Sequence, residues 1–364
     1  MCQVNDTLYG DVKHLKSYVT FQDSTIQNEK LFSSEGDYGH YGFSSKEFAM
    51  GRWKNWWYNT HFVHYINVEK SFNKKKQLVK ESWFYKNGNL VYQYKYVYDK
   101  KDRLISELEY SDYDSDRIGI KKYGYKYDGK IATILETNIG HDYHYSNMKR
   151  FQYDNKDRMI RTDVLYGEGE MSSTIIEYDS INNIRRTYTY SEDQWVKSGD
   201  RSHTLKNYPK GMIYLKKVES LDHELKVVKS VEYSERDYNN QVKKIDSSLY
   251  SYQNGNLIKI EKSYGRLGTN LNTFKYDSKN RLIEEIRTYS DRENPILKTQ
   301  YKYDEYDQVI KLIYYEGEFG DSKPLSVEID FELQYDDRGN WIEQKKIVDG
   351  VHLFTWHRVI NYWD

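Results

Sequence analysis

Hydrophobic and polar residues alternate along most of this chain from Ser71 onward. Over residues 92–98 the odd and even positions separate into two sets, and one set consists of Tyr92, Tyr94, Tyr96 and Tyr98. A period of two places alternate side chains on opposite faces of a β-strand. Short polar segments follow such runs, as at residues 99–103, and connections this short join antiparallel neighbours. The pattern therefore predicts strand, turn and strand in repetition.

A tyrosine–aspartate pair recurs along the chain. An aliphatic or aromatic residue lies six positions after the tyrosine, and an isoleucine follows it. The strong copies are Tyr98-Asp99 with Leu104-Ile105, Tyr153-Asp154 with Met159-Ile160, Tyr276-Asp277 with Leu282-Ile283, Tyr303-Asp304 with Val309-Ile310, and Tyr335-Asp336 with Trp341-Ile342. Each aspartate can accept a backbone N–H bond from two residues on, which makes an Asx turn. A fixed offset repeated this often indicates a repeat architecture. These tyrosines and aspartates are predicted to be structural turn anchors without a catalytic role.

Weaker copies fill the intervals, and between 192 and 241 the signature is lost. That stretch is interpreted as further strands with irregular loops. Residues 354–359 are predicted to form a final strand.

This motif resembles the tyrosine–aspartate (YD, or Rhs-type) repeats of bacterial surface and toxin proteins. The best match is residues 335–342, with Gly339 where the family prefers glycine; Asp102, Asp157, Asn280 and Asp307 stand at that position in other copies. The resemblance covers about residues 70–345. It implies antiparallel hairpins that wind into a curved or spiral sheet or close into a barrel-like shell. It also implies a protein that wraps or presents other polypeptides or binds surface glycans, although this chain is much shorter than the shells that enclose toxins.

Residues 1–66 differ from the rest, and we expect an N-terminal capping module over 1–66 and a hairpin-repeat domain over 67–364. Ser44 and Glu47 fit a capping box, which predicts a short helix near 45–57. Aromatic and histidine side chains concentrate around it. The candidate ligand-binding residues are Tyr38, His40, Tyr41, Trp53, Trp56, Trp57, His61 and His64. Aromatic faces can stack on sugar rings or on apolar groups of a partner. The alternative interpretation is that the helix covers the first sheet edge and its tryptophans are core.

Composition agrees with an all-β protein of high surface area. The chain has 364 residues, 39 tyrosines and 3 prolines, and tyrosine favours strands. Mean hydropathy is −0.95, but a chain this rich in aromatics is not typical of disorder. The formal net charge is −1, so no global field attracts nucleic acid or an anionic membrane. No apolar stretch is long enough for a transmembrane helix.

Cys2 is the single cysteine, which excludes disulfides within the chain and zinc sites that need several thiolates. Two interpretations of its position stay open. The protein is cytoplasmic and Cys2 is incidental, or a signal peptide has been removed and Cys2 is the lipidated first residue of an exported protein, at the periplasm or cell surface. An exported location is favoured over a cytoplasmic one.

No cofactor or native metal is predicted. The histidine pairs at 61/64 and 141/144 are spaced for one face of a helix, whereas in a strand such residues point to opposite faces. Glu35 and Asp37 are the least ordinary carboxylates, because glycosidases need a carboxylate pair. The sequence contains no nucleophile elbow, phosphate-binding glycine loop or dinucleotide fingerprint.

These observations favour a non-enzymatic binding scaffold of the bacterial cell envelope, which contacts a protein or a glycan through an aromatic-rich β surface. Tyrosine suits such recognition because each ring orders few torsions. Two alternatives stay open: a carbohydrate-active hydrolase that uses paired carboxylates near the N-terminal aromatics, and a partner that shelters or neutralises a polymorphic toxin.

Overall fold

The structure is a computed structural model of the full chain. It describes residues 7–22, 57–60, 67–85, 88–111, 118–140, 144–166, 171–191, 213–233, 244–264, 268–289, 296–317 and 324–364. These residues form 22 β-strands and one turn of 3-10 helix, Trp57–Asn59. Among the described residues there is no helix long and apolar enough to span a membrane.

The strands follow one another with short connections. In chain order they are β1 (Val12–Phe21), β2 (Val68–Phe72), β3 (Leu78–Phe84), β4 (Leu90–Tyr98), β5 (Leu104–Ser111), β6 (Ile118–Asp128), β7 (Ile131–Ile139), β8 (His144–Tyr153), β9 (Met159–Leu165), β10 (Met171–Asp179) and β11 (Ile184–Ser191). The second half contains β12 (Ile213–Leu221), β13 (Val227–Tyr233), β14 (Lys244–Gln253), β15 (Asn256–Ser263), β16 (Thr269–Tyr276), β17 (Leu282–Tyr289), β18 (Leu297–Tyr303), β19 (Val309–Glu316), β20 (Leu325–Tyr335), β21 (Trp341–Val348) and β22 (Val351–Tyr362).

The chain divides into two compact units. The first unit comprises Met1–Gly119 and Asn272–Asp364, and the second unit comprises Ile120–Leu271. Consecutive strands in each unit pair antiparallel, as in β20 with β21 and β7 with β8. In the first unit β1 lies between β22 and β2, so the two stretches of this unit share one sheet.

Both units have a face that carries alternating tyrosines, and we call it the tyrosine face. It is marked by Tyr92, Tyr94 and Tyr96 on β4 in the first unit and by Tyr123 and Tyr125 on β6 in the second. The register carries this face from strand to strand, because directly opposite residues share a face.

The tyrosine face of the first unit is the hydrophobic core. On β20 the side chains of Val327, Ile329 and Phe331 are buried, while the intervening residues are polar and more exposed. Tyr58 of the 3-10 helix stacks on Phe331 with ring centroids 4.7 Å apart. Lys346 of β21 is also fully buried in this layer, and burial lowers the pKa of its ammonium group well below the usual value.

The predicted all-β antiparallel meander is confirmed, and residues 354–359 lie in β22. The helix predicted over 45–57 falls outside the described residues apart from Trp57. The boundary predicted between 66 and 67 stays a prediction, because most of 1–66 is not described; β1, which is described, pairs with β2. Within 192–241 the structure describes β12 and β13, and the remainder of that stretch lies outside the described residues.

Candidate functional site

The repeat turns share one hydrogen-bond pattern. Asp99 Oδ1 accepts the backbone N–H groups of Lys101 at 2.8 Å and Arg103 at 3.0 Å, and Asp99 N–H donates to the Arg103 carbonyl at 2.9 Å. The bonds from Arg103 lower the pKa of the Asp99 carboxyl. Four other anchors accept N–H bonds from the same relative positions: Asp154, Asp277, Asp304 and Asp336. The aspartate therefore organises the turn.

The third residue after each of these aspartates has a left-handed backbone. The φ angles are 61° at Asp102, 58° at Asp157, 62° at Asn280, 60° at Asp307 and 81° at Gly339. Left-handed φ is readily adopted by glycine, and among other residues by asparagine and aspartate. The copies that depart from glycine thus keep the backbone conformation of the turn.

Successive turns of the first unit contact one another. Arg281 Nη1 donates to Asp307 Oδ1 at 2.7 Å, and its guanidinium lies 4.7 Å from the Tyr303 ring centroid. The Tyr303 hydroxyl donates to the Leu282 carbonyl at 2.6 Å. An aspartate at the left-handed position thus forms an ion pair, which a glycine at that position could not form.

The second unit repeats these contacts. Lys130 Nζ pairs with Asp157, Arg158 lies 4.1 Å from the Tyr178 ring centroid, and the Tyr178 hydroxyl donates to the Met159 carbonyl at 3.3 Å. The repeated tyrosines and aspartates therefore connect neighbouring hairpins at the strand ends, and in the first unit Tyr276, Tyr303 and Tyr335 also pack against the hydrophobic core.

The tyrosine face of the second unit carries a buried ionic cluster on β11 and β12. Glu219 accepts a hydrogen bond from Arg185 Nε at 2.6 Å and forms an ion pair with Lys217 Nζ at 2.9 Å. Burial alone would raise the pKa of Glu219, but the hydrogen bonds from the two cations outweigh it and hold the pKa below the usual value of 4.5. The register places this cluster on the same face as Tyr125.

Charged and aromatic side chains share the rest of this face. Glu136 lies 3.5 Å from Lys149 Nζ and accepts a bond from Asn138 Nδ2 at 3.2 Å, and Asp246 lies 3.4 Å from Lys262 Nζ. Half-buried rings lie on the same strands or their neighbours, namely Tyr123, Tyr125, Phe151 and Tyr250. Such a surface offers both hydrogen-bonding groups and ring faces.

The opposite face of the second unit has its own cluster around Asp163. This buried carboxylate contacts Arg150 at 3.1 Å, Arg161 at 2.7 Å and the Ser173 hydroxyl at 2.7 Å. Large apolar side chains on this face are exposed: Leu135, Ile245 and Leu249.

Most of the predicted ligand-binding residues lie outside the described residues: Tyr38, His40, Tyr41, Trp53, Trp56, His61 and His64. Trp57 begins the 3-10 helix, and nothing is described of its side chain. Cys2, Glu35, Asp37 and His141 are also outside, so their roles stay predictions. No group of three or more His, Cys, Asp or Glu side chains suited to a metal ion occurs among the described residues.

Sequence reasoning missed one turn and both carboxylate clusters. Asp222 accepts N–H bonds from Glu224 and Lys226 at 2.9 Å, but Leu221 replaces the tyrosine. A search that allowed any apolar residue before the aspartate would have found it. Glu219 and Asp163 carry no local signal, because their partners come mainly from neighbouring strands and alternating charges usually mark solvated faces.

Comparison with known proteins gives distant likenesses only. No family model matches the chain, and no curated protein matches it. Crystal structures of TcdB2-TccC3-Cdc42 and of TcdB2-TccC3 without its hypervariable C-terminal region match with TM-scores of 0.39, at 9% and 10% identity; each match covers 81% of this chain and 18% of the other. A porin-like protein from Bacteroides uniformis matches 97% of this chain and 98% of its own, at 9% identity and a TM-score of 0.23. At these TM-scores the likenesses carry no argument about function.

Proposed function

We propose that this protein is a non-enzymatic binding scaffold and that the tyrosine face of its second unit holds a polypeptide. One observation carries the proposal. The tyrosine face of the first unit is occupied by a core that includes Leu312, Ile329 and Phe354, whereas no hydrophobic side chain of the second unit is buried among the described residues. The tyrosine face of the first unit is thus occupied by packing, whereas the tyrosine face of the second unit is left for contacts.

The chemistry of this face suits a polypeptide. Anions and cations alternate across the strands, as in Glu136 with Lys149 and Glu219 with Arg185. Half-buried tyrosines lie beside them. Tyrosine supplies a large, rigid contact area and a hydroxyl group at low cost in conformational entropy. A mixed surface of this kind complements the amides and mixed charges of a peptide segment.

Site-specific photocross-linking tests the proposal with a control on the same strand. A benzoylphenylalanine replaces Tyr125 on the tyrosine face or Lys126, which is exposed on the opposite face. The probe at 125 is expected to form protease-sensitive adducts in extracts of the native source, and the probe at 126 is not. Circular dichroism checks that both variants keep the β fold.

Other results would contradict the proposal. Equal cross-linking from both positions, or none from position 125, would show that this face holds no ligand. Adducts that resist protease but are removed by glycosidases would replace the polypeptide by a glycan, the other ligand class expected from the sequence.

The N-terminal aromatic residues and the export of the protein are further parts of this proposal. We keep Tyr38, His40, Tyr41, Trp53, Trp56, Trp57, His61 and His64 as further contact residues, and export to the cell envelope with Cys2 as the lipid-anchor position. Metabolic labelling with a palmitate analogue, compared between the wild type and Cys2→Ser, tests the anchor. The pKa values of Glu219 and Glu284 are lowered, which does not suit the general acid of a hydrolase.

A further inference from the structure

A cavity of about 310 Å³ lies against the tyrosine face of the first unit, over β1, which is flanked by β2 and β22. An apolar cavity of roughly 150 Å³ is enough to hold a benzene ring, so this cavity has room for a molecule of two fused rings. All of its lining residues belong to the first unit. The site is therefore independent of the face proposed to bind a polypeptide.

Aromatic rings form much of the cavity wall. Trp356 of β22 lies on one side of β1, and Phe72 of β2 and Trp83 of β3 lie on the other side. Leu15 of β1 also lines the cavity. Aromatic rings attract one another in offset-stacked and edge-to-face arrangements, beyond the effect of the area that they bury. An aromatic ligand gains these contacts, whereas an aliphatic ligand of the same size gains only the burial.

The two cations in the wall already have partners and are separated from each other. Lys70 lies on β2 and Arg358 lies on β22, with β1 between them. Lys70 Nζ forms an ion pair with Glu81 Oε1 at 3.9 Å, and the Arg358 guanidinium lies 3.4 Å from the Trp341 ring centroid. An anionic ligand would have to compete with Glu81, and a cationic ligand would be repelled by both side chains. The wall therefore suits an uncharged molecule.

Ser17 of β1 brings one unused polar group to the cavity. Its side chain lines the cavity and is only 2% exposed, and its hydroxyl group has no hydrogen-bond partner among the described residues. In the strand register Ser17 lies between Val68 of β2 and Arg358 of β22, which also line the cavity. A buried hydroxyl group without a hydrogen bond costs free energy, and a hydrogen bond from a ligand would recover it. The cavity therefore suits a molecule with a single hydrogen-bonding group.

We propose that this cavity binds a neutral bicyclic aromatic molecule with one hydrogen-bonding group, of the class of indole. The rings of the ligand pack against Leu15, Trp83 and Trp356, and its N–H group donates to Ser17 Oγ. A hydrocarbon of the same shape keeps the ring contacts and loses the hydrogen bond. A charged derivative loses its hydration beside side chains that already have partners, and it binds more weakly.

Calorimetric titration of the purified full chain with indole, indene and indole-3-carboxylate tests the ligand class. Indene has the shape of indole without the N–H group. Indole is expected to bind about fivefold more tightly than indene, which is the usual net effect of one hydrogen bond. Indole-3-carboxylate is expected to bind at least tenfold more weakly than indole. Absence of indole binding, or a carboxylate that binds as tightly as indole, would overturn the proposal.

Two serine variants test the position of the site. Ser17→Ala should weaken indole binding about fivefold and leave indene binding unchanged, because only indole donates to the hydroxyl group. Ser82→Ala is the matched control and should change neither. Ser82 is also 2% exposed, but it lies opposite Glu69 on the other face of the sheet and accepts a hydrogen bond from Gln93 Nε2 at 3.4 Å.

Circular dichroism checks that both variants keep the β fold. If Ser17→Ala does not fold, the three ligands compared on the wild-type chain decide the question. Equal weakening of indole binding in Ser17→Ala and Ser82→Ala, or equal weakening of indole and indene in Ser17→Ala, would overturn the proposal.

Discussion

The two units are built from the same turn and differ in what the sheet between the turns buries. In the first unit Arg281 and Tyr303 join neighbouring hairpins, and in the second Arg158 and Tyr178 make the same stacked contact. The tyrosine face of the first unit is a hydrophobic core that includes the fully buried Ile329. The tyrosine face of the second unit carries the Glu219 cluster instead. The turn chemistry is therefore separable from the core chemistry.

This difference shows that the same turn is compatible with two kinds of sheet face. A hairpin sheet needs its neighbours for hydrogen bonds at the edges, and the Asx turns with their tyrosines secure those neighbours in both units. In the first unit the tyrosine face supplies most of the hydrophobic burial among the described residues, including Leu312, Ile329 and Phe331. Where charged, amide and hydroxyl side chains occupy this face, as in the second unit, the strands and turns persist.

The largest expected effect comes from removing a buried aliphatic side chain in the first unit. Ile329→Ala should lower the free energy of unfolding by about 2–5 kcal/mol, because Ile329 is fully buried and the substitution leaves a cavity. Urea unfolding followed by tryptophan fluorescence measures it, since Trp83, Trp341 and Trp356 are buried in this unit.

The matched substitution in the second unit is Ile176→Ala, which also lies on the tyrosine face but is only half-buried. It should cost about 1 kcal/mol or less, because less apolar area returns to water. Hydrogen exchange of the β10 amides measures the local effect. If both substitutions lower the free energy of unfolding by the same amount, the second unit also has a hydrophobic core. The contrast between the two units would then be wrong.

The sequence predicted the turns better than the faces. The Tyr-Asp spacing predicted which residues bound each hairpin, because an Asx turn is a local interaction among five residues. Even the departures from glycine, such as Asp307, obey a local backbone rule. The Glu219 cluster could not be predicted from the sequence, because Arg185 and Glu219 are brought together only by the register of β11 with β12. The N-terminal candidates such as Trp56 stay untested for the separate reason that they lie outside the described residues.

A second, smaller effect should follow from removing both cations around Glu219. Arg185→Met with Lys217→Met leaves a buried carboxylate without its ion pairs, which should lower the free energy of unfolding by about 1–3 kcal/mol at pH 7. Lys16→Met is the control in the first unit, because its partner Glu69 is one-third exposed and the pair should contribute less than about 1 kcal/mol.

The loss in free energy of unfolding of the double variant should depend on pH in a defined direction. The folded-state pKa of Glu219 is lowered in the wild type, so its stabilising contribution is present above the unfolded-state value of 4.5 and is lost as the pH falls through the folded-state pKa. In the double variant burial raises that pKa instead. The difference in stability between the two proteins should therefore shrink below pH 4.5, as urea titrations at pH 7 and pH 3.5 would show. A constant difference would mean that packing of the removed side chains, and not the charge on Glu219, is responsible.

A further expected effect concerns the left-handed turn position, which occurs in both units. Gly339 has φ of 81°, and a Cβ there would lie 3.4 Å from Tyr306 Cε1, so space is adequate and the cost is conformational. Gly339→Ala should cost about 1–2 kcal/mol and Gly339→Asn less, because asparagine tolerates left-handed φ better than alanine. In the second unit Asp157→Ala should show a smaller loss, since a Cβ is already present at φ of 58°. Thermal unfolding of the three variants measures these differences. If Gly339→Asn is as costly as Gly339→Ala, backbone conformation does not explain why aspartate and asparagine replace glycine in the other turns.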